Sequence, residues 1–178
     1  MTHQILIAGF GGQGVLFAGK FLAYKGMVED KNISWLPSYG PEMRGGTANC
    51  SVILSDDPVG SPIITEPDVL IAMNLPSLQK YVNSVVPGGQ IYLDSTLIAE
   101  KVDRTDVDVF YIPATQMAKD EGITTLANMI IVGSLLENNP ELSFEGAAET
   151  VQKLVPAKKA ALVELNLKAL ELGKTYRA

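Results

Sequence analysis

Short apolar runs alternate with helix-length segments through most of the 178-residue chain. Residues 4–8 are apolar almost throughout, the pattern of a central strand covered on both faces. Residues 15–28 follow with helical periodicity: Val15, Leu16, Gly19, Leu22 and Ala23 recur along one side, and Lys20 and Lys25 fall off that stripe. A second apolar run at 33–36 completes a strand–helix–strand unit. Residues 47–55 predict another strand, bounded by Asp56, Asp57 and Pro58. No helix separates it from the strand before, so it is expected to be antiparallel or at an edge. Strand 69–73, helix 77–86, the Pro87-Gly88-Gly89 turn and strand 90–93 repeat the rhythm of a parallel α/β sheet. A strand at 107–112 and helices over 115–121, 126–136, 144–154 and 158–173 close the chain. In the last helix Leu162, Leu165, Ala169 and Leu172 form the expected packed stripe. The fold class read from this pattern is α/β: three layers, α/β/α, around a mostly parallel Rossmann-like sheet with an antiparallel edge strand. No repeat or linker breaks the pattern, so residues 1–178 are expected to form one domain.

The turn between the first strand and the first helix holds Gly9, Gly11, Gly12 and Gly14, with Gln13 between the last two. Positions 9, 11 and 14 satisfy the G-x-G-x-x-G spacing. Glycine there allows backbone angles that a Cβ forbids and lets main-chain N–H groups at a helix start approach an anion or a neighbouring backbone. A nicotinamide-binding unit also needs an acidic residue at the end of the second strand, to hold the ribose. Here that strand runs into Leu36, Pro37, Ser38 and Tyr39, while Glu29 and Asp30 precede it, at its wrong end. A dinucleotide site is therefore ranked low.

A second glycine-bearing stretch is the companion of the first: Ser38, Tyr39, Gly40, Pro41, Glu42, Met43, Arg44, Gly45 and Gly46. As a connector it needs no further reason, since loops favour such residues. Arg44 beside two glycines also offers a guanidinium next to unhindered donors, which suits phosphate or carboxylate. Both readings stay open. Asn74 and Asp94 follow strand ends, where wound sheets collect ligands; capping of a helix is ranked above ligand binding for both. Asn128 lies in an apolar helix and is expected to be hydrogen-bonded.

Composition narrows the chemistry. With 47% hydrophobic and 19% charged residues the chain reads as compact and globular, and its net charge of −6 argues against a nucleic-acid surface. No stretch approaches a membrane span and no secretory leader is evident, so a cytoplasmic location is expected. Cys50 is the single cysteine and His3 the single histidine. One thiol supports neither a disulfide nor a cluster, and no base is at hand to activate it, so no catalytic and no metal residue is assigned.

The paired motifs, Gly9-Phe-Gly-Gly-Gln-Gly-Val15 and Ser38-Tyr-Gly-Pro-Glu-Met-Arg-Gly-Gly-Thr-Ala-Asn49, resemble the gamma subunit of 2-oxoacid:ferredoxin oxidoreductases. The equivalent module is a fused domain of single-chain pyruvate:ferredoxin oxidoreductases. The likeness runs nearly end to end and includes the Pro87-Gly88-Gly89 turn and the Asn128 helix. It implies a non-cluster subunit of a complex that oxidatively decarboxylates a 2-oxoacid to acyl-CoA and passes electrons to ferredoxin. Implied partners are alpha and beta subunits, with delta as a further candidate. Thiamine diphosphate, magnesium and iron–sulfur clusters are implied to sit on those partners. A homodimer of the chain is also open, and coenzyme A is the one ligand considered for the chain itself.

The two loops can serve in two ways. As a ligand site, the N–H groups of Gly11 to Gly14 and Arg44 would hold diphosphate, with Lys20 or Lys25 adding charge. As a docking face, the glycines would admit a partner's backbone while Tyr39 and Arg44 act as anchors. Docking is ranked first, because the chain is acidic and few cations lie near the motif. The alternatives are a stand-alone dinucleotide-binding dehydrogenase and a free coenzyme A or nucleotide sensor.

Overall fold

The computed structural model describes residues 1–38 and 47–177. One sheet contains β1 (Thr2–Phe10), β2 (Asn32–Ser38), β3 (Thr47–Ser55), β4 (Val69–Ala72), β5 (Gln90–Asp94) and β6 (Asp108–Ile112), in the order β2-β3-β1-β4-β5-β6. β1, β4, β5 and β6 run parallel. β3 is antiparallel to both β1 and β2, so the expected antiparallel pair forms one edge of the sheet, with β2 outermost. The chain between β2 and β3 has no room for a crossover helix, and without one a returning strand runs antiparallel.

The helices are α1 (Val15–Val28), α2 (Leu75–Tyr81), α3 (Ala114–Asp120), α4 (Ala127–Asn138), α5 (Ala147–Leu154) and α6 (Ala161–Thr175). Alternate strand residues face opposite layers. Ile5, Ile7, Cys50, Val52 and Ile71 pack with Phe21 and Leu22 of α1 and the apolar residues of α4. Leu6, Leu70, Ala72, Ile91 and Leu93 pack on the other face with Leu78 of α2, Val85 and Ile98. This is the expected three-layer arrangement. Helix α6 lies against α4 at near-contact of the two backbones: a Cβ added at Gly173 would stand 1.8 Å from the carbonyl oxygen of Ile130.

Two details differ from the sequence expectation. Lys25 is buried rather than off the packed stripe, because α1 is covered nearly all round and its ammonium is matched one turn later by Glu29. On α6 the packed stripe is Asn166, Ala169, Leu170 and Gly173, while Leu162 and Leu165 are exposed. The close approach at Gly173 sets the rotation of α6, and apolar spacing alone favours the wrong face.

Asn74 does cap a helix: its Oδ1 accepts from the Ser77 N–H at 2.9 Å at the start of α2. Asp94 caps as well, but across the sheet. Its carboxylate accepts from the N–H of Thr115 at 3.2 Å and from Thr115 Oγ1 at 2.5 Å, in the first turn of α3.

Candidate functional site

The carboxyl ends of β1, β4, β5 and β6 share one end of the sheet, and the glycine turn sits there. Gly9 is the buried penultimate residue of β1, while Gly11 and Gly12 form an exposed tip. Gly12 has φ +92° and Gly14 φ +73°, both in the left-handed region that a Cβ disfavours. Gln13 fastens the turn from within. Its Oε1 accepts from the Phe10 N–H at 2.7 Å and its Nε2 donates to the Met73 carbonyl at 3.0 Å, beyond the end of β4. Its side chain is thus committed to shape. Gly14 then begins α1 with no side-chain cap. Its carbonyl accepts from Asn128 Nδ2 at 3.0 Å, which ties the turn to α4.

The register places the flanks of the second motif at the same end. Thr47 pairs with Phe10, beside the glycine turn, and Ser38 pairs with Asn49 one strand further out, so both described ends of the 39–46 stretch lie at the same end of the sheet as the turn. Tyr39, Gly40, Pro41, Glu42, Arg44, Gly45 and Gly46 themselves lie outside the described residues.

Beside the tip is an open hollow of about 290 Å³, lined by Phe10, Gly11, Gly12, Leu16, Phe17 and Ala48 among others. None of its described lining residues is charged. Phe10 stands 41% exposed there, a large apolar side chain partly open to solvent. Lys20 is exposed on α1 and lies over the Tyr24 ring, 5.8 Å from its centroid; Lys25, near the far end of α1, is engaged with Glu29. Lys25 therefore does not add charge at the turn, because ten helical residues, roughly 15 Å of rise, separate it from Val15.

Neither chemically distinctive side chain reaches this place. Cys50 is buried under α1 with its thiol donating to the Val15 carbonyl, and burial pushes its pKa up to about 12. It is a packing residue, as its surroundings in the sequence imply. His3 is at the opposite end of β1, with Nδ1 3.0 Å from Asp68 and Nε2 2.7 Å from Glu141. Asp68 first, then Glu141, raises its pKa above the ordinary histidine value. Among the described residues no cluster of three or more His, Cys, Asp or Glu is placed to hold a metal. The topology also bears on dinucleotides. Since β3 separates β2 from β1, the end of β2 lies two strand spacings, about 10 Å, from the glycine turn instead of one.

Sequence reasoning missed the apolar face beside the turn. Phe10 and Phe17 read as a strand end and a helix residue, and only the fold puts them around one hollow. A second cavity, lined by Gly14, Phe17 and Asn128 together with residues of α5 and α6, was likewise invisible in the linear pattern.

The class that this architecture defines is a three-layer α/β domain whose first β–α turn is an exposed glycine tip on an apolar face, with Cys50 and His3 both placed away from that tip. The chain belongs to the pyruvate ferredoxin/flavodoxin oxidoreductase family, whose model matches residues 4–176. It is 34% identical over 181 residues to the 2-oxoglutarate synthase subunit KorC of Methanothermobacter marburgensis, covering 98% of this chain and 96% of that protein. It is 38% identical over 173 residues to the ketoisovalerate oxidoreductase subunit VorA of Methanothermobacter thermautotrophicus, but spans only 36% of that protein's length. Among solved structures, the gamma subunit of a keto/oxoacid ferredoxin oxidoreductase from Geobacter sulfurreducens superposes with a TM-score of 0.81 at 30% identity, covering 97% of this chain and 96% of that one. No helix among the described residues is long and apolar enough to cross a membrane.

Proposed function

We propose that the chain is the gamma subunit of a cytoplasmic 2-oxoacid:ferredoxin oxidoreductase and that its glycine tip docks against a partner subunit. The complex converts a 2-oxoacid to acyl-CoA and delivers electrons to ferredoxin. Thiamine diphosphate, magnesium and the iron–sulfur clusters belong to the alpha, beta and, where present, delta chains. This chain has one buried thiol to offer a cluster, and that thiol does not fit the role. The oxoacid is left to the partners to select, since relatives of this chain carry names from both 2-oxoglutarate and ketoisovalerate enzymes.

The observation that carries docking over ligand binding is the hollow at the tip, which has no charged lining among the described residues. A diphosphate calls for cations and directed donors. An exposed Phe10 beside two Cβ-free residues calls instead for an apolar partner surface brought close to the main chain. Coenzyme A held at the Arg44 loop is the second reading, supported by the position of the loop's described flanks, Ser38 and Thr47, at the same end of the sheet.

Co-purification from native extract decides the matter. The parent chain is expected to elute with thiamine-diphosphate-binding subunits, and Gly12→Glu is expected to elute free while keeping its own fold. A parent chain that elutes alone, or a Gly12→Glu chain that stays in the complex, overturns docking at the tip. Titration of the isolated chain with coenzyme A tests the second reading: saturable binding that Arg44→Ala weakens would establish it.

A further inference from the structure

β6 is the last strand on its side of the sheet, and its outer side offers main-chain bonds. Successive residues of a strand aim their N–H and C=O groups to opposite sides. The Asp108 N–H donates inward to Gly89 and the Ile112 carbonyl accepts inward from Ser95, so Asp108, Phe110 and Ile112 are the residues bonded towards β5. Val109 and Tyr111 therefore aim their main-chain groups outward, and no described residue bonds them there. Open edges are ordinarily blunted by lysine, proline or a bulge. The opposite edge strand, β2, carries Pro37. β6 has none of these devices and a single charge, on Asp108 at its first position. Beside it, on the α4 side, lies a hollow of about 210 Å³ lined by Phe110, Ser134, Asn138 and Tyr176 among others. Phe110 is only half-buried there, although its ring stacks on Tyr92 with centroids 4.5 Å apart. Arg177 at the rim is paired with Glu137 at 3.1 Å.

We infer that the outer side of β6 pairs with β6 of a second copy of this chain, antiparallel about a two-fold axis at Phe110. The occupant is a second copy because the strand complements its own reverse, as a two-fold interface requires. Val109 faces Tyr111 of the second copy twice over, outward residue against outward residue, the position at which both main-chain bonds are exchanged. Phe110 faces Phe110 at the closer, non-hydrogen-bonded position, which carries the stack on Tyr92 across the axis. Asp108 faces Ile112, so the two carboxylates stand about 13 Å apart along the strands. Pairing ends where Pro113, which has no N–H, meets Val107. A register centred on Tyr111 would set Pro113 against Val109, and one centred on Val109 would bring the carboxylates to about 7 Å along the strands. The axis is normal to the sheet, so the two six-stranded sheets become one with their strands reversed. The two glycine tips then lie at opposite ends, and the dimer neither needs nor blocks docking at either.

Sedimentation velocity of the full chain between roughly 1 and 200 µM spans the affinity of a small interface, and a dimer is expected at the upper end. Amide exchange at Val109 and Tyr111 is expected to slow as concentration rises, while Phe110, already bonded to β5, stays unchanged. Val109→Pro removes an outward N–H from an edge, where proline is tolerated, and is expected to raise the dimer dissociation constant at least about tenfold. Phe110→Cys is expected to form an intermolecular disulfide with oxidised glutathione, since opposed Cα atoms there stand about 4.5 Å apart. Asp108→Cys, displaced from its symmetry mate, is expected not to. A chain that stays monomeric at the highest concentration overturns the inference. So does a dimer that Val109→Pro leaves intact, or cross-linking as fast through Asp108→Cys as through Phe110→Cys. Protection of Val109 and Tyr111 that appears only when another protein is added overturns the second copy as occupant. None of these results bears on the tip, and loss of docking there leaves the dimer standing.

Discussion

Substituting alanine at Gly14 and at Gly12 separates backbone strain from tertiary contact within one turn. Both residues have positive φ, so each substitution carries the cost of placing a Cβ in the left-handed region, about 1 kcal/mol. At Gly12 a Cβ meets nothing within 4 Å, and the cost ends there. At Gly14 it would stand 2.4 Å from Asn128 Nδ2, so the carboxamide must withdraw. Withdrawal breaks the hydrogen bond to the Gly14 carbonyl and leaves a buried amide with no partner on either side, which adds about 1–3 kcal/mol. Gly14→Ala is therefore expected to destabilise the chain by about 2–4 kcal/mol against about 1 kcal/mol for Gly12→Ala. Urea titration of the isolated chain, followed by the fluorescence of Trp35, measures both. With a slope of about 2 kcal/mol per molar, the two midpoints should differ by roughly 1 M. Asn128→Ala should reduce the penalty of Gly14→Ala in the double variant, because the obstructing amide is gone. Equal midpoints for the two alanine variants would refute the claim that Asn128 holds the turn.

Three further outcomes follow from buried and paired groups. His3 has a raised folded pKa from Asp68 and Glu141, so its stabilising effect is complete below the unfolded value near 6.5 and is lost as pH rises through the folded one. His3→Gln should abolish that part of the pH dependence of the urea midpoint, and an unchanged profile would remove the pair from the ledger of pH effects. Cys50, at about 12, should resist a thiol-specific disulfide reagent at pH 8 in the folded chain and react once unfolded; rapid reaction of the folded chain would contradict its burial. Glu29→Gln leaves the Lys25 ammonium buried without its counter-charge and should cost about 3 kcal/mol, whereas Lys25→Met should be nearly neutral; thermal denaturation distinguishes the two.

The strand and helix rhythm was legible in the chain because a wound sheet imposes it residue by residue. Apolar strands covered on both faces, glycine turns and the Pro87-Gly88-Gly89 stop are local signals, and so were the capping role of Asn74 and the packing role of Cys50. The two motifs carried the family resemblance for the same reason, being contiguous in the sequence. Everything that depended on which element lies beside which had to come from the fold. The position of β3 between β1 and β2 follows from a return without a crossover, yet only the pairing shows that it parts the glycine turn from the end of β2. The face of α6 was decided by Gly173 against Ile130, a contact between two helices that apolar spacing cannot encode. Lys25 went inside because α1 is covered on several sides. The cavity behind the glycine turn exists because residues from α1, α4, α5 and α6 converge at one point. Periodicity assigns a residue to a face of its own element; the neighbours that give the face its chemistry are set by long-range packing.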